Sequence, residues 1–219
     1  MKMVYLTVDD APSRGFIQKV DFLKQKRIPA MFFCIGKLME DHRDEIAYAT
    51  RQGAIIANHS WSHRDFGGIS FDEAREEIEK TDEVIDEIYR EAHTERRIRS
   101  FRFPYGSKGV ENKDKLQNLL REMGYRQPAF EAIRYDWFSG NGLSTDRDVF
   151  WTFDVAEYEL GWEEIMESIN SRCPKQGGSL VDESSSDILL MHDHTKTTGL
   201  FIRVIDEFLS RDIQFQEMV

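Results

Sequence analysis

The sequence predicts an α/β fold built on a parallel sheet. Short apolar runs alternate with longer amphipathic segments from one end of the 219-residue chain to the other, the pattern of strand–helix–strand units. Charged and His residues gather directly behind the apolar runs, not within them. No repeat, low-complexity tract or linker-like stretch breaks this rhythm, so residues 1–219 read as one domain.

In chain order, Met3-Val4-Tyr5-Leu6-Thr7-Val8 is rich in β-branched and aromatic residues and predicts the first strand. Phe16, Val20 and Leu23 at helical spacing predict a helix over 16–26. A second strand is expected over 30–35, a helix over 44–52 ending near Gly53, and a third strand over 54–57. The clearest helix spans 71–93: Ser70 with Glu73 forms a capping box, and Ala74, Ile78, Thr81, Ile85 and Ile88 make an apolar stripe. Further strands are expected over 98–103, 150–155 and 188–191, and helices over 113–123, 162–171 and 200–210. Residues 126–148 escape the pattern and carry Tyr135, Trp137 and Phe138. A loop this long is either functional or a packing insert.

Composition excludes several classes. The net charge is −11, and no stretch concentrates Lys and Arg enough to track phosphates, so neither nucleic acid nor membrane is an expected partner. The two cysteines do not make a disulfide scaffold; Cys34 lies in an apolar run and Cys173 in a loop, and both are expected as free thiols. The chain opens with neither a signal segment nor a membrane span, so the expectation is a cytoplasmic protein, or a secreted one if a leader has been removed.

The polar clusters sit where strands end. Asp9-Asp10 follows the first strand, Asn58-His59-Ser60-Trp61-Ser62-His63 the third, and Arg102 to Tyr105 the fourth; Asp154 and Glu157 follow the next, and His192-Asp193 the last. In parallel α/β folds the carboxyl ends of the strands share one face, which carries the chemistry. His59 and His63, four apart, can point to one side of a turn. With Asp10 they form a two-His, one-carboxylate set that leaves coordination positions open, as catalytic Zn²⁺ or Fe²⁺ requires. Asp9 can then reach an attacking water while Arg102 keeps it ionised. His192 is a second acid/base group, with Asp154 or Glu157 able to pair with its imidazolium. His42, His93 and His194 are assigned to the surface.

These residues resemble the polysaccharide deacetylases, the family-four carbohydrate esterases. Thr7-Val8-Asp9-Asp10-Ala11-Pro12 resembles the family's Thr-Phe-Asp-Asp-Gly-Pro opening. Pro29 through Gly36 resembles its second strand, and Asn58-His59-Ser60-Trp61-Ser62-His63 its His-box. Phe101-Arg102-Phe103-Pro104-Tyr105-Gly106 is similar to its Arg-x-Pro-Tyr-Gly segment, and Ile188-Leu189-Leu190-Met191-His192-Asp193 to its closing motif. The resemblance implies a distorted (β/α) barrel of about seven parallel strands, with Asp10, His59 and His63 as ligands of one divalent metal. Zn²⁺ is the first choice, with Co²⁺, Ni²⁺ and Fe²⁺ open. It implies Asp9 as base, Arg102 as its orienting partner, His192 as acid, Tyr105 as the backbone donor to the oxyanion and Leu190 as contact for the acetyl methyl. Trp61 of the His-box is expected among the substrate-binding residues.

Two departures stand out: Ala11 replaces a Gly, and Glu157-Tyr158 replaces Asp-Trp. The implied activity is hydrolysis of N-acetyl groups on N-acetylated saccharides. Hydrolysis of another amide, such as a formamide on a sugar or a cyclic ureide, and carbohydrate binding without catalysis stay open. An Fe²⁺ oxygenase would leave Asp9, Arg102 and His192 without roles.

Overall fold

The computed structural model describes residues 1–172 and 177–218; Cys173 lies outside them. The elements are β1 (Met3–Ala11), α1 (Phe16–Lys26), β2 (Ala30–Cys34), α2 (Gly36–Asp41), α3 (Arg43–Arg51), β3 (Ile55–Asn58) and α4 (Phe71–Glu91). They continue with α5 (Lys113–Glu122), α6 (Asp136–Gly140), β4 (Phe153–Asp154), α7 (Trp162–Asn170), β5 (Asp187–His192), α8 (Thr198–Ser210) and β6 (Gln214–Phe215). No helix among the described residues is long and apolar enough to cross a membrane.

Every strand pairing is parallel, in the order β3-β2-β1-β5-β4, with β6 joined to the start of β1. The sheet has six strands among the described residues. The strand expected over 98–103 is reduced to a single bridge, Asn58 to Phe101. That bridge nonetheless closes the barrel. Val149 N–H donates to the Phe101 carbonyl at 2.8 Å, and Thr152 N–H to that of Ile188 at 3.0 Å, so backbone bonds run from β3 through Phe101 and the 149–152 segment back to β5. Of the expected strand 150–155 only Phe153–Asp154 forms, because the Thr152 carbonyl accepts from Gly178 N–H at 2.7 Å while Ile188 N–H donates to the Thr152 side chain at 2.8 Å instead of to the backbone.

The two faces of the sheet follow the period of two that strands impose. Val4, Leu6, Val8, Phe32, Cys34, Ile56, Leu189 and Met191 face outward and pack beneath α1, α3, α4 and α8. Tyr5, Met31, Phe33, Ala57 and Ile188 face inward and form a separate apolar cluster with Phe138, Leu143 and Val149. Residues 126–148 therefore plug the barrel interior: Glu131 N–H donates to Tyr5 Oη at 2.8 Å, and Phe130 meets the Tyr5 ring edge-on at 5.0 Å. The insert is packing. Cys34 is a buried free thiol among the outward-facing residues.

The capping box on α4 is present, with Ser70 N–H donating to Glu73 Oε2 at 2.9 Å and Glu73 N–H to Ser70 Oγ at 3.3 Å. Along the inner face, the apolar plug gives way towards the carboxyl ends to Thr7, Asp9, Leu190 and His192. Thr7 pairs in register with Leu190, and Asp9 with His192. Partners in register on parallel strands project to the same side, so the proposed base and acid stand side by side although they come from opposite ends of the chain.

Candidate active site

Asp9, Asp10, His59, His63, Tyr105, Asp154, Leu190 and His192 line one cleft of about 320 Å³ at the carboxyl ends of the strands, together with Trp151, Tyr158 and His194. The backbone is bent hard to achieve this. Asp10 (φ 64°), Ser60 (φ 65°), His63 (φ 58°), Tyr105 (φ 58°) and Ala156 (φ 52°) all lie in the left-handed region without being glycine. Each such residue costs on the order of 1 kcal/mol, and concentrated strain of this kind marks sites where side-chain direction matters more than stability.

The ring nitrogens of the two imidazoles have separate tasks. His59 Nδ1 lies 2.9 Å from the Arg102 carbonyl, which can only accept, so Nδ1 carries the proton. Burial, the largest influence on His59, lowers its pKa and keeps the ring neutral, which leaves an unshared pair on Nε2. His63 is held likewise, its Nδ1 3.2 Å from Tyr105 Oη and its ring edge-on to the Tyr105 ring at 4.7 Å. Both Nε2 atoms face Asp10 Oδ1, at 3.6 Å for His59 and 3.1 Å for His63. That oxygen is buried and hydrogen-bonded to neither. Burial would raise the Asp10 carboxyl, but the imidazoles of His194, His63 and His59 outweigh it and hold the group well below the usual carboxylate range.

One candidate ligand atom from each of the three residues lies within 4.8 Å of the others, the one such group among the described residues. A tetrahedral ion with bonds of about 2.1 Å needs neighbouring ligand atoms about 3.4 Å apart. The donor types, the spacing and the unpartnered Asp10 Oδ1 therefore fit a divalent cation.

Asp9 is bound differently from its neighbour. Arg102, 1% exposed, donates Nη1–H to Asp9 Oδ1 at 2.7 Å and to Thr7 Oγ1 at 2.8 Å, and Nε–H to the Val149 carbonyl at 3.0 Å. The guanidinium also stacks 4.3 Å from the Phe33 ring centre. Asp9 Oδ2 is left facing the cleft, 3.6 Å from His59 Nε2. Across the cleft, Glu157 Oε1 accepts from the His192 backbone N–H at 2.5 Å, and Oε2 lies 3.8 Å from His192 Nδ1. Burial by itself would depress His192; the Glu157 carboxylate foremost, with Asp9 and Asp154, pushes it up to about 9. Asp154 accepts from Ala156 N–H at 2.8 Å and lines the cleft, and burial pushes its carboxyl up to about 6. Glu157, not Asp154, is thus the neighbour of His192.

Two expectations are corrected. Trp61 is not among the residues lining the cleft: its indole packs against Gly36 and lies under Lys80 Nζ at 3.6 Å from the ring centre. A Cβ on Gly36 would come within 2.6 Å of the indole, so this close approach needs glycine. His194 is not a bystander, because it lines the cleft with Nε2 3.3 Å from Asp10 Oδ2. Its sequence signal was its position two residues beyond His192. Trp151, stacked on Phe150 at 4.2 Å, and Tyr158, edge-on to His192 at 4.4 Å, supply aromatic walls. Trp151 had no local signal, since in an apolar run an aromatic reads as core. Gly106, at φ +64°, leaves room for the Trp151 ring, which a Cβ there would meet at 2.9 Å.

A peptidoglycan-N-acetylglucosamine deacetylase of Bacillus cereus is 34% identical over 147 residues, 65% of this chain and 48% of that protein. The chain spans about half the length, or less, of the first curated relatives it matches. A family 4 carbohydrate esterase from Streptomyces lividans, solved with acetate, superposes with a TM-score of 0.69 at 19% identity, covering 100% of this chain and 93% of that one. A pseudoenzyme of the same esterase family from Bacillus anthracis superposes with a TM-score of 0.67 at 18% identity, covering 97% and 62%. The fold alone thus does not entail catalysis; the side chains must be argued individually. A sequence model described as polysaccharide deacetylase matches residues 1–128, which contain β1, the His-box and the Arg102 segment, and the chain belongs to that family.

Proposed function

We propose that this chain hydrolyses the N-acetyl amide of N-acetylated saccharides, releasing acetate and a free amino sugar, with one divalent cation, Zn²⁺ first, held by Asp10, His59 and His63. The observation that carries this reading is the pairing of Asp9 with His192 across one cleft, each with its own charged partner, beside the Asp/His/His set.

An acetamide is a sluggish electrophile, and the ion would supply Lewis-acid polarisation of its carbonyl and of water. The protein's own groups supply the rest. Asp9 Oδ2 faces the cleft while Arg102 occupies Oδ1, so Oδ2 is the atom that takes the proton from the attacking water. Tyr105 offers its backbone N–H to the developing oxyanion, a type of contact typically worth a few kcal/mol. His192, protonated at neutral pH, gives its proton to the departing amine nitrogen, without which the C–N bond does not break productively. Glu157 stabilises that imidazolium from behind and Asp154 from the cleft side. Leu190 contacts the acetyl methyl, and Trp151 and Tyr158 offer flat surfaces to a sugar ring.

The test is acetate release from N-acetylglucosamine oligomers of two to six units by Zn²⁺-loaded protein, beside chelated protein and Asp9→Asn. Acetate that disappears in both controls supports the deacetylase. Metal uptake without acetate from any oligomer would instead favour another amide, such as a formamide on a sugar.

A further inference from the structure

His194 has no role in the mechanism above, yet its Nε2 lies 3.3 Å from the outer oxygen of Asp10. The two oxygens of that carboxylate face different partners. Oδ1 looks towards Nε2 of His59 and His63, whereas Oδ2 lies 3.3 Å from His194 Nε2. His194 is absent from the group of ligating atoms that converge within 4.8 Å and meets Asp10 at its other oxygen instead.

The side chain of His194 is 45% exposed, and an exposed imidazole would ordinarily wander among rotamers. Its backbone, however, is anchored by a buried ion pair. Lys19 and Asp193 are both 0% exposed at their side chains and in direct contact. Asp193 also accepts from Ser13 N–H at 2.6 Å and Ser13 Oγ at 2.9 Å, tying the segment after β5 to the segment after β1. The same Lys19 ammonium donates to the His194 carbonyl at 3.2 Å. Removing one partner of a buried pair would strand the other charge away from water, so this anchor holds the His194 backbone in place. On the ring side, His194 stacks on His192 with centres 6.0 Å apart and planes 24° apart.

We infer that His194 is a positioning residue for the metal site: its Nε2–H donates to Asp10 Oδ2 and fixes the carboxylate so that Oδ1 points between the Nε2 atoms of His59 and His63. Each of the three ligands then has its outer atom held, His59 by the Arg102 carbonyl, His63 by Tyr105 Oη and Asp10 by His194. Partners of this kind raise metal affinity by limiting the ligand to one orientation, and losing one typically weakens binding about 10–100-fold.

The inference rests on the reading of Asp10, His59 and His63 as metal ligands, and the experiment separates the two. Zn²⁺ affinity is measured by competition with a chromogenic chelator for wild type, His194→Ala, His194→Gln and Asp10→Ala, with Co²⁺ absorption spectra and apo-protein melting curves beside it. His194→Ala is expected to bind Zn²⁺ about 10–100-fold more weakly with an unchanged apo melting curve. His194→Gln, whose amide nitrogen can reach the position of Nε2, is expected to recover most of that loss with the wild-type Co²⁺ spectrum. Equal affinity in wild type and His194→Ala would overturn the role of His194 while leaving the metal site intact. A displaced Co²⁺ band in His194→Gln would make His194 a ligand and overturn the positioning role. Failure of the wild type to bind Zn²⁺, or no effect of Asp10→Ala, would remove the metal-site reading and this inference with it.

Discussion

The two ends of the barrel treat buried charge in opposite ways. At the amino ends of the strands, Lys2 reaches the carbonyls of Ser179, Asp182 and Ser185 at 2.6–2.8 Å and the carboxylate of Asp187 at 2.5 Å. Asp187 in turn accepts from Thr152 Oγ1 at 2.6 Å and Tyr135 Oη at 3.0 Å. At the carboxyl ends, Asp10 Oδ1, Arg102 Nη2, Glu157 Oε2 and His192 Nδ1 are buried without a hydrogen-bond partner. Both ends bury charge and pair it, but only the carboxyl end also leaves charged-group atoms buried without a partner. A closed network stabilises a fold; an open one is stable only to the extent that a ligand completes it. Volume does not separate the two. A hollow of about 510 Å³ near Arg27, Gln52 and Arg97 at the amino end exceeds the cleft in size, yet no group of candidate metal ligands among the described residues faces it.

The sharpest way to break this contrast is to exchange the consequences. Asp9→Asn, whose amide oxygen can still accept from Arg102, is expected to lower kcat by about 10²–10⁴-fold while costing less stability than loss of a buried partner outright. Lys2→Ala is expected to do the reverse, costing about 3–5 kcal/mol of stability with near-normal activity in the molecules that remain folded. A stability loss in Asp9→Asn as large as that in Lys2→Ala would mean that the carboxyl end is as structural as the other.

The His192–Glu157 pair refines the comparison through pH. His192 is raised from its ordinary 6.5 to about 9, so the fold favours the imidazolium. Its contribution to stability is complete below about pH 6.5 and is lost as pH rises through about 9. Metal-free wild type should therefore lose more stability than His192→Gln between pH 6.5 and pH 9.5, read from urea midpoints. In kinetics, the alkaline limb of kcat/KM is expected at or below pH 9, since a bound cation repels the imidazolium. Glu157→Gln is expected to move that limb down by about one unit. A limb that stays in place would disconnect Glu157 from the acid.

The smallest expected effect distinguishes the two tryptophans. Trp151→Ala should raise KM for oligomers several-fold by removing a cleft wall. Trp61→Ala should leave KM unchanged and cost about 1–2 kcal/mol of stability, less than a fully buried aromatic because the residue is partly exposed. An increase in KM for Trp61→Ala would return that residue to the substrate.

Much of this architecture was legible in the chain because the signals are local. Short apolar runs marked β1, β2, β3 and β5, the capping box marked the start of α4, and the residues behind the strands named Asp9, Asp10, His59, His63, Arg102 and His192 without any knowledge of contacts. Strand 98–103 was overread because its apolar residues serve a different cluster, with Phe101 and Phe103 packed against Phe66 and Leu116. The helix α2 was unread because Gly36 begins it and only six residues compose it. Direction and distance were another matter. That Glu157 rather than Asp154 stands behind His192, that Trp61 turns towards Gly36 and Lys80, that residues 126–148 fill the barrel, and that His194 meets Asp10 all depend on how segments far apart in the chain are registered. Residue type and spacing act over a few positions, whereas left-handed backbone at Asp10, Ser60, His63 and Ala156 re-aims side chains in ways that only the packed neighbours can enforce.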